Sequence, residues 1–291
     1  MRPAPGIDGH WGRRPFGVGD WPRRMGVSPY DYRMAMIYFV RHGRTVLNEQ
    51  RRTQGAADSP LTPEGRLGAE ICRDYLADVP FNRAYFSPQG RVQETGGILL
   101  QAHPGLTPVN LTGLREYNYG VYDGGPDPVM HAALPAEQHL PAVLTGVHPG
   151  APGGITARDY LADVDGALAR ILADLRSVAA GDDGADNVLV VSHGMTLMTI
   201  MARWVGPQIY GMAPMANCAV TTVEVTPSAV DGAPRLLTWA EDPGNQGVTY
   251  PVRDFSDAFA GVVPVPIDWE HPEGLAAGSA DAVGNGVRSN A

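Results

Sequence analysis

The chain divides into blocks whose apolar residues follow either the strand period or the helix period. Met36-Ile37-Tyr38-Phe39-Val40 is a short apolar run closed by Arg41-His42-Gly43, which predicts a buried strand running into a loop. Thr62-Pro63-Glu64 opens a helix, with Thr62 as N-cap and Pro63 at the first helical position. Leu67, Ile71, Cys72, Tyr75 and Leu76 are expected on its inner face. Arg83–Ser87 reads as a second strand, and a helix is expected from Pro88 through Leu100. A long amphipathic helix is predicted from Thr156 to about Ala179, with Leu161, Val164, Leu168, Ile171, Leu172 and Leu175 on one side. Val188–Val191 is the cleanest strand pattern; it ends at Ser192-His193-Gly194, and a helix follows from about Met195 to Trp204. Ala219–Val225 and Leu236–Ala240 pair as a predicted hairpin across residues 227–235. This alternation predicts an α/β fold: a single three-layer α/β/α domain over residues 36–260 with a mostly parallel central sheet. Ligands in such sheets gather at the carboxyl ends of the strands.

Three stretches break the pattern. Residues 1–35 hold six Gly, five Pro and six Arg with three acidic residues, and they fit no helix or strand period. They predict a disordered leader, with initiation at Met25, Met34 or Met36 as the alternative; no apolar stretch of a secretory signal follows the arginine pairs. Residues 124–154 hold six Gly and six Pro, which predicts a loop-rich insertion or lid with one short helix. From Gly261 onward the composition predicts a low-complexity tail, loose over 273–291.

Composition narrows the function classes. The net charge is −9, and all 22 basic residues are Arg. An acidic chain is a poor candidate for nucleic-acid binding, and no apolar run is long enough for a membrane span, so neither partner is expected. Two cysteines, Cys72 and Cys218, exclude a disulfide scaffold or a cysteine zinc cluster; both are expected in the core. Oligomeric state is open.

The candidate chemistry lies in two strand–His–Gly units, Phe39-Val40-Arg41-His42-Gly43 and Val190-Val191-Ser192-His193-Gly194. Each sets an imidazole at a strand end, beside a Gly that lets a ligand approach the backbone. The helix after Gly194 is expected to offer free N–H groups to an anion.

Arg41-His42-Gly43-Arg44-Thr45, Asn48, Gln54-Gly55 and Asp58-Ser59-Pro60-Leu61-Thr62 resemble the signature of the histidine phosphatase superfamily, in its phosphoglycerate-mutase-like branch. The likeness continues at Phe86-Ser87, Arg91, Thr95, Leu114-Arg115-Glu116, Gly120 and Ser192-His193-Gly194, covering residues 36–225. It implies His42 as a nucleophile that becomes a phosphohistidine. It implies Arg41, Arg91 and His193 as phosphate-pocket cations and donors, Asn48 and Gly194 as further pocket donors, and Gln54 and Gly55 as the substrate rim. Glu116 is implied as the general acid. Plainer roles stand beside these: Glu116 paired with Arg115, Arg91 exposed on a helix, Asn48 as a loop cap.

Phosphoryl transfer is catalysed mainly by positioning and charge stabilisation, for which permanently charged, forked guanidinium groups suit. The scheme needs no metal or other cofactor. Mutases of this family grip a carboxylate with a Lys and extra Arg; this chain has no Lys, and 124–154 has no Arg. Two departures, Gly154-Ile155-Thr156 and Asp163, fall where relatives carry other rim residues. The expected function is a cytoplasmic, metal-independent phosphatase acting on a small phosphorylated metabolite. A phosphoglycerate mutase and an inactive phospho-ligand or protein-binding module are the alternatives.

Overall fold

The computed structural model describes residues 34–177, 186–248 and 254–274. The first strand, β1 (Ala35–Arg41), leads into the short helix α1 (Val46–Glu49) and then α2 (Pro63–Leu76). β2 (Arg83–Phe86) is followed by α3 (Gly90–Leu99) and the edge strand β3 (Pro108–Asn110). Two short helices, α4 (Asp127–Ala133) and α5 (Ala136–Leu144), precede the long α6 (Ala157–Arg176). β4 (Asp186–Ser192), α7 (Gly194–Trp204), β5 (Val220–Val225) and β6 (Arg235–Glu241) complete the element order.

The six strands form one sheet in the order β3-β2-β4-β1-β5-β6. β1, β2, β3 and β4 run parallel, while β5 and β6 form the antiparallel edge expected for the hairpin. Side chains alternate across the pleat, so the buried strands feed two cores. Ile37, Phe39, Val188 and Val190 pack with Leu168, Ile171 of α6 and Leu197, Ile200 of α7. Val40, Leu189 and Val191 face the other way, onto Ala69, Cys72 and Leu76 of α2 and Val92 and Leu99 of α3. Each large aliphatic side chain so buried contributes about 1.5–3 kcal/mol. The register sets Arg41 opposite Ser192 and Phe86 opposite Val191. Three strands therefore end side by side, and the residues that follow, His42, His193 and Ser87, leave the sheet together.

Several expectations are corrected in detail. Leu67 and Tyr75 are exposed; the inner face of α2 is Gly65, Gly68, Ala69, Cys72 and Leu76. Small residues win there because the helix runs too close to its neighbours for large ones. A Cβ on Gly65 would lie 2.0 Å from the Arg44 carbonyl oxygen. α3 begins at Gly90 rather than Pro88, where the Asp58 carboxylate accepts from the Gly90 and Arg91 N–H groups. The 124–154 insertion holds two helices where one was expected, each entered from a proline, Pro126 or Pro135, with Val143 and Leu144 of α5 buried.

The expected tail also divides. Arg203 donates to the carbonyls of Val265 and Pro266, and Glu273 accepts from Thr112 and Gly113, so 261–274 is packed on the domain. Residues 1–33 of the expected leader and 275–291 of the tail lie outside the described residues. Both cysteines are buried and unpaired by a disulfide, as expected; burial pushes both thiols up, Cys218 to about 12.

The close approach of α2 is testable. Gly65→Ala should cost about 1–3 kcal/mol in urea unfolding. Gly97→Ala on α3, where an added Cβ meets nothing within 4 Å, should be neutral or stabilising by up to ~1 kcal/mol. Equal effects of the two substitutions would contradict this packing.

Candidate active site

His42 leaves β1 with its N–H donating to the Ser192 carbonyl at 3.0 Å. Its own carbonyl accepts from Asn217 Nδ2 at 3.0 Å. The ring Nδ1 lies 2.8 Å from the Gly43 carbonyl oxygen. A carbonyl only accepts, so Nδ1 carries the proton and Nε2 keeps its lone pair. His42 is buried, and burial together with the charges of Arg91 and Arg41 holds its pKa well below the ordinary imidazole range. The ring is thus a neutral imidazole with a fixed tautomer and a free lone pair on Nε2. Gly43 is required beside it, because a Cβ there would meet the Gly65 carbonyl oxygen at 2.7 Å. Its N–H donates to Thr95 Oγ1 at 2.9 Å.

The His193 ring centroid is 5.3 Å from that of His42. Arg91 Nε donates to His193 Nδ1 at 3.0 Å, which puts the ring proton on Nε2, where it donates to Ser87 Oγ at 2.8 Å. Burial, Arg91, His42 and Arg41 depress the pKa of His193 as well.

Arg91 is fully buried rather than exposed on its helix. Its NH1 donates to Asp58 Oδ1 and the Ala57 carbonyl, both at 3.0 Å, and its NH2 donates to the Gly55 carbonyl at 3.0 Å. Four of its five N–H bonds are engaged among the described residues, which leaves one on NH2. Burial lowers the pKa of Arg91, and Glu116 and Asp58 oppose that shift.

Arg41 NH1 donates to the Met215 carbonyl at 2.7 Å, while its Nε is buried with no partner among the described residues. A buried donor left unmatched is uncommon and marks a place for an acceptor. Gly194 makes room for this guanidinium: an added Cβ would sit 3.3 Å from Arg41 Nε.

Glu116 occupies the N-terminus of α7. Its Oε1 accepts from the N–H groups of Tyr117 at 3.0 Å and Thr196 at 3.1 Å, and its Oε2 accepts from the Met195 N–H at 3.0 Å. The expectation that this helix end offers open N–H groups is corrected accordingly: a carboxylate from the chain itself holds the second and third. Burial raises the Glu116 pKa, against the N–H donors and Arg91. Oε1 accepts from two N–H groups and Oε2 from only one, so a proton on this acid resides on Oε2. No ion pair joins Glu116 to Arg115 among the described residues; Gln89 holds it instead. Gln89 Oε1 accepts from the Glu116 N–H at 2.9 Å, and its Nε2 donates at 2.7 Å to the Gly55 carbonyl that Arg91 also engages.

The remaining expected residues form the rim. Asn48 is a cap: its Oδ1 accepts from Thr45 N–H and Asn217 Nδ2, so only its Nδ2 is open to a ligand. Gln54 accepts from Thr45 Oγ1 at 2.6 Å and donates to Ser59 Oγ at 3.2 Å, so both its polar ends shape the loop. Gly55 is pressed against the chain, with an added Cβ 2.1 Å from the Tyr117 carbonyl oxygen. Of the departures, Asp163 is exposed on α6 and Thr156 caps that helix through the Asp159 N–H.

Asp58, Asp123, Gln89 and Asn217 carry much of this arrangement and were not singled out as site residues from sequence. Asp58 and Asp123 stood inside motif-like stretches, 58–62 and 117–124; Gln89 and Asn217 carry no local signal. Asp123 accepts from four backbone N–H groups, those of Gly55, Ala56, Ala57 and Tyr119.

Charge and pH give two checks. A lysine at position 91 cannot reproduce the guanidinium fork, so Arg91→Lys should weaken inorganic phosphate binding by about tenfold or more in calorimetry. His42, His193 and His139 are held neutral, with burial and His148 lowering His139 to about 4. Unfolded histidine titrates near ~6.5, so the unfolded chain binds more protons below that pH. Stability should be full above about pH 6.5 and decline as pH falls toward the folded values, and His139→Phe should flatten the decline. Glu116, raised, contributes with the opposite sign: its share is present at low pH and lost as pH rises through its folded value. Urea midpoints unchanged from pH 7 to pH 5 would contradict the burial of neutral imidazoles.

Known proteins share this architecture. The family model of the histidine phosphatase superfamily (branch 1) matches residues 37–241. A Yersinia enterocolitica protein named "Probable phosphoglycerate mutase GpmB" is 29% identical over 194 residues, covering 66% of this chain and 85% of that one. Among solved structures, a mycobacterial glucosyl-3-phosphoglycerate phosphatase superposes with a TM-score of 0.60 at 24% identity, covering 72% of this chain and 100% of the other. Bacillus stearothermophilus YhfR gives 0.55 at 28% identity, covering 71% and 97%. The match over residues 37–241, more than half of the sequence, carries the conclusion that this chain belongs to the histidine phosphatase superfamily.

Proposed function

We propose that the chain is a metal-independent phosphatase that hydrolyses a small phosphate monoester through a phosphohistidine on His42. The observation that carries this reading is the His42 ring: proton fixed on Nδ1 by the Gly43 carbonyl, Nε2 unprotonated, two guanidinium groups beside it. Arg41 Nε and the remaining N–H of Arg91 NH2 are donors for the equatorial oxygens, where charge lies during transfer.

Nε2 attacks phosphorus; the P–N bond forms and the P–O ester bond breaks. The Glu116 Oε2 proton passes to the leaving oxygen, so an alcohol departs. The Glu116 carboxylate then takes a proton from water. That water oxygen attacks phosphorus, the P–N bond breaks, and inorganic phosphate leaves with Glu116 protonated and His42 neutral. General acid catalysis of this kind contributes about 10²–10⁴-fold. The arginine charges supply the stabilisation for which other phosphatases use metal ions.

Hydrolysis is favoured over transfer between hydroxyls by the insertion. Residues 124–154 hold neither Lys nor Arg, so they offer no side-chain cation to hold the carboxylate of a phosphorylated acid. Proteins named as phosphatases and as mutases share the fold, so the fold does not choose between them. No helix among the described residues is long and apolar enough to cross a membrane, which is compatible with action on soluble metabolites.

The test is turnover of p-nitrophenyl phosphate in the presence of EDTA. Wild type should be active, and His42→Ala should lose about 10³-fold or more. Glu116→Gln should lose less on this activated leaving group than on an alkyl phosphate. Full activity of His42→Ala would refute the nucleophile. Interconversion of 3- and 2-phosphoglycerate faster than phosphate release would replace the phosphatase reading with the mutase one, and phosphate binding without phosphohistidine formation would replace it with a binding module.

A further inference from the structure

We propose that the Thr196 hydroxyl is a two-position hydrogen-bond donor that follows the charge of Glu116, turning toward the carboxyl when it ionises and away when it is protonated. The proposal rests on the reading of Glu116 as the proton donor.

Thr196 Oγ1 lies 2.6 Å from the Arg115 carbonyl oxygen and 3.1 Å from Glu116 Oε1. A hydroxyl has one proton, so it serves one of these acceptors at a time. The shorter contact is to the Arg115 carbonyl, the arrangement suited to a neutral Glu116. Tyr160 OH, on α6, lies 3.1 Å from Thr196 Oγ1 and 3.5 Å from Thr199 Oγ1; the shorter contact gives its one proton to Thr196 Oγ1, where it occupies one lone pair. A donated bond polarises the hydroxyl and strengthens the bond it donates in turn.

When Glu116 gives its Oε2 proton to a leaving group, negative charge spreads onto Oε1. The Thr196 proton reaches Oε1 by rotation about Cβ–Oγ1 alone, with no heavy atom moving. Hydrogen bonds to a charged acceptor are about twice as strong as neutral ones, so the exchange favours the ionised acid. Once water has returned a proton to Glu116, the hydroxyl turns back to the Arg115 carbonyl. The two N–H groups on Oε1, from Tyr117 and Thr196, are fixed and cannot respond in this way. The other groups that act electrostatically on Glu116 are Arg91 from α3, Tyr119 from the adjoining loop, Tyr160 from α6 and Tyr210 from the turn after α7. All four keep their protons while Glu116 titrates, since burial raises the three tyrosines above their ordinary value. Thr196 is thus a positioning residue that acts through Glu116.

The direct test is an NMR titration of the Glu116 carboxyl carbon in protein labelled with ¹³C-glutamate, assigned by its loss in Glu116→Gln. Thr196→Val should raise the midpoint by about one pH unit, as expected for loss of one charge-assisted hydrogen bond. Thr196→Ser should stay near wild type. The alkaline limb of kcat/KM should move up with the midpoint, because the acid must be protonated to act. Tyr160→Phe should raise the midpoint by less, and it decides the matter if Thr196→Val does not fold. A midpoint unchanged in Thr196→Val, or in Tyr160→Phe where that variant stands in, would overturn the proposal. The titration needs no turnover, so a wild type without esterase activity would refute the phosphatase reading while the Thr196 result remains separately readable.

Discussion

A fully buried guanidinium organises this site. An isolated charge in a protein interior is costly, and it persists only where it is paired and hydrogen-bonded. Arg91 is matched by the Asp58 carboxylate, the carbonyls of Ala57 and Gly55, and His193 Nδ1. Each partner is constrained in return. The loop carrying Gly55–Asp58 must curl its carbonyls inward, and Asp123 holds that curl by accepting its N–H groups. His193 is locked into one tautomer. His42 is kept neutral in part by the same charge. One interaction thereby sets the shape of the rim, the proton position on one imidazole and, in part, the neutrality of the other.

The sheet supplies what Arg91 organises. Parallel pairing of β1, β4 and β2 ends three strands at one level, so residues distant in sequence emerge as neighbours. The residue after each strand enters the cluster around Arg91: His42, His193 and Ser87. Glu116 reaches the same centre from a loop, by capping the helix that follows His193. That cap explains how an acid can be buried yet retain one open lone pair on a known oxygen.

Much of this was legible in the chain because it is encoded locally. An apolar run ending in His-Gly is a strand meeting a ligand loop, and Thr62-Pro63 is a helix start wherever it lies. What was not legible is encoded by contact. Leu67 and Tyr75 fit the helical period of α2, but they face solvent because Gly65 and Gly68 let the opposite face approach its neighbours more closely. The prolines of 124–154 read as breaks, yet two of them precede helices. Gln89 looks like an ordinary surface polar residue, and nothing near Asp123 in the chain says what it holds; only the fold shows that Asp123 gathers four backbone N–H groups and that Gln89 ties Glu116 to the loop that Arg91 holds. The packing of 261–274 depends on Arg203 and on the Thr112 turn, which local composition does not reveal.

The most direct measurement of the central claim is a crystal structure with vanadate, which adopts the trigonal bipyramid of a phosphoryl group in transfer. The account predicts vanadium bonded to His42 Nε2, with its equatorial oxygens taken by Arg41 and Arg91 and its distal apical oxygen facing Glu116 Oε2. Vanadate bound elsewhere, or bound here with Arg91 contacting only the protein, would contradict it.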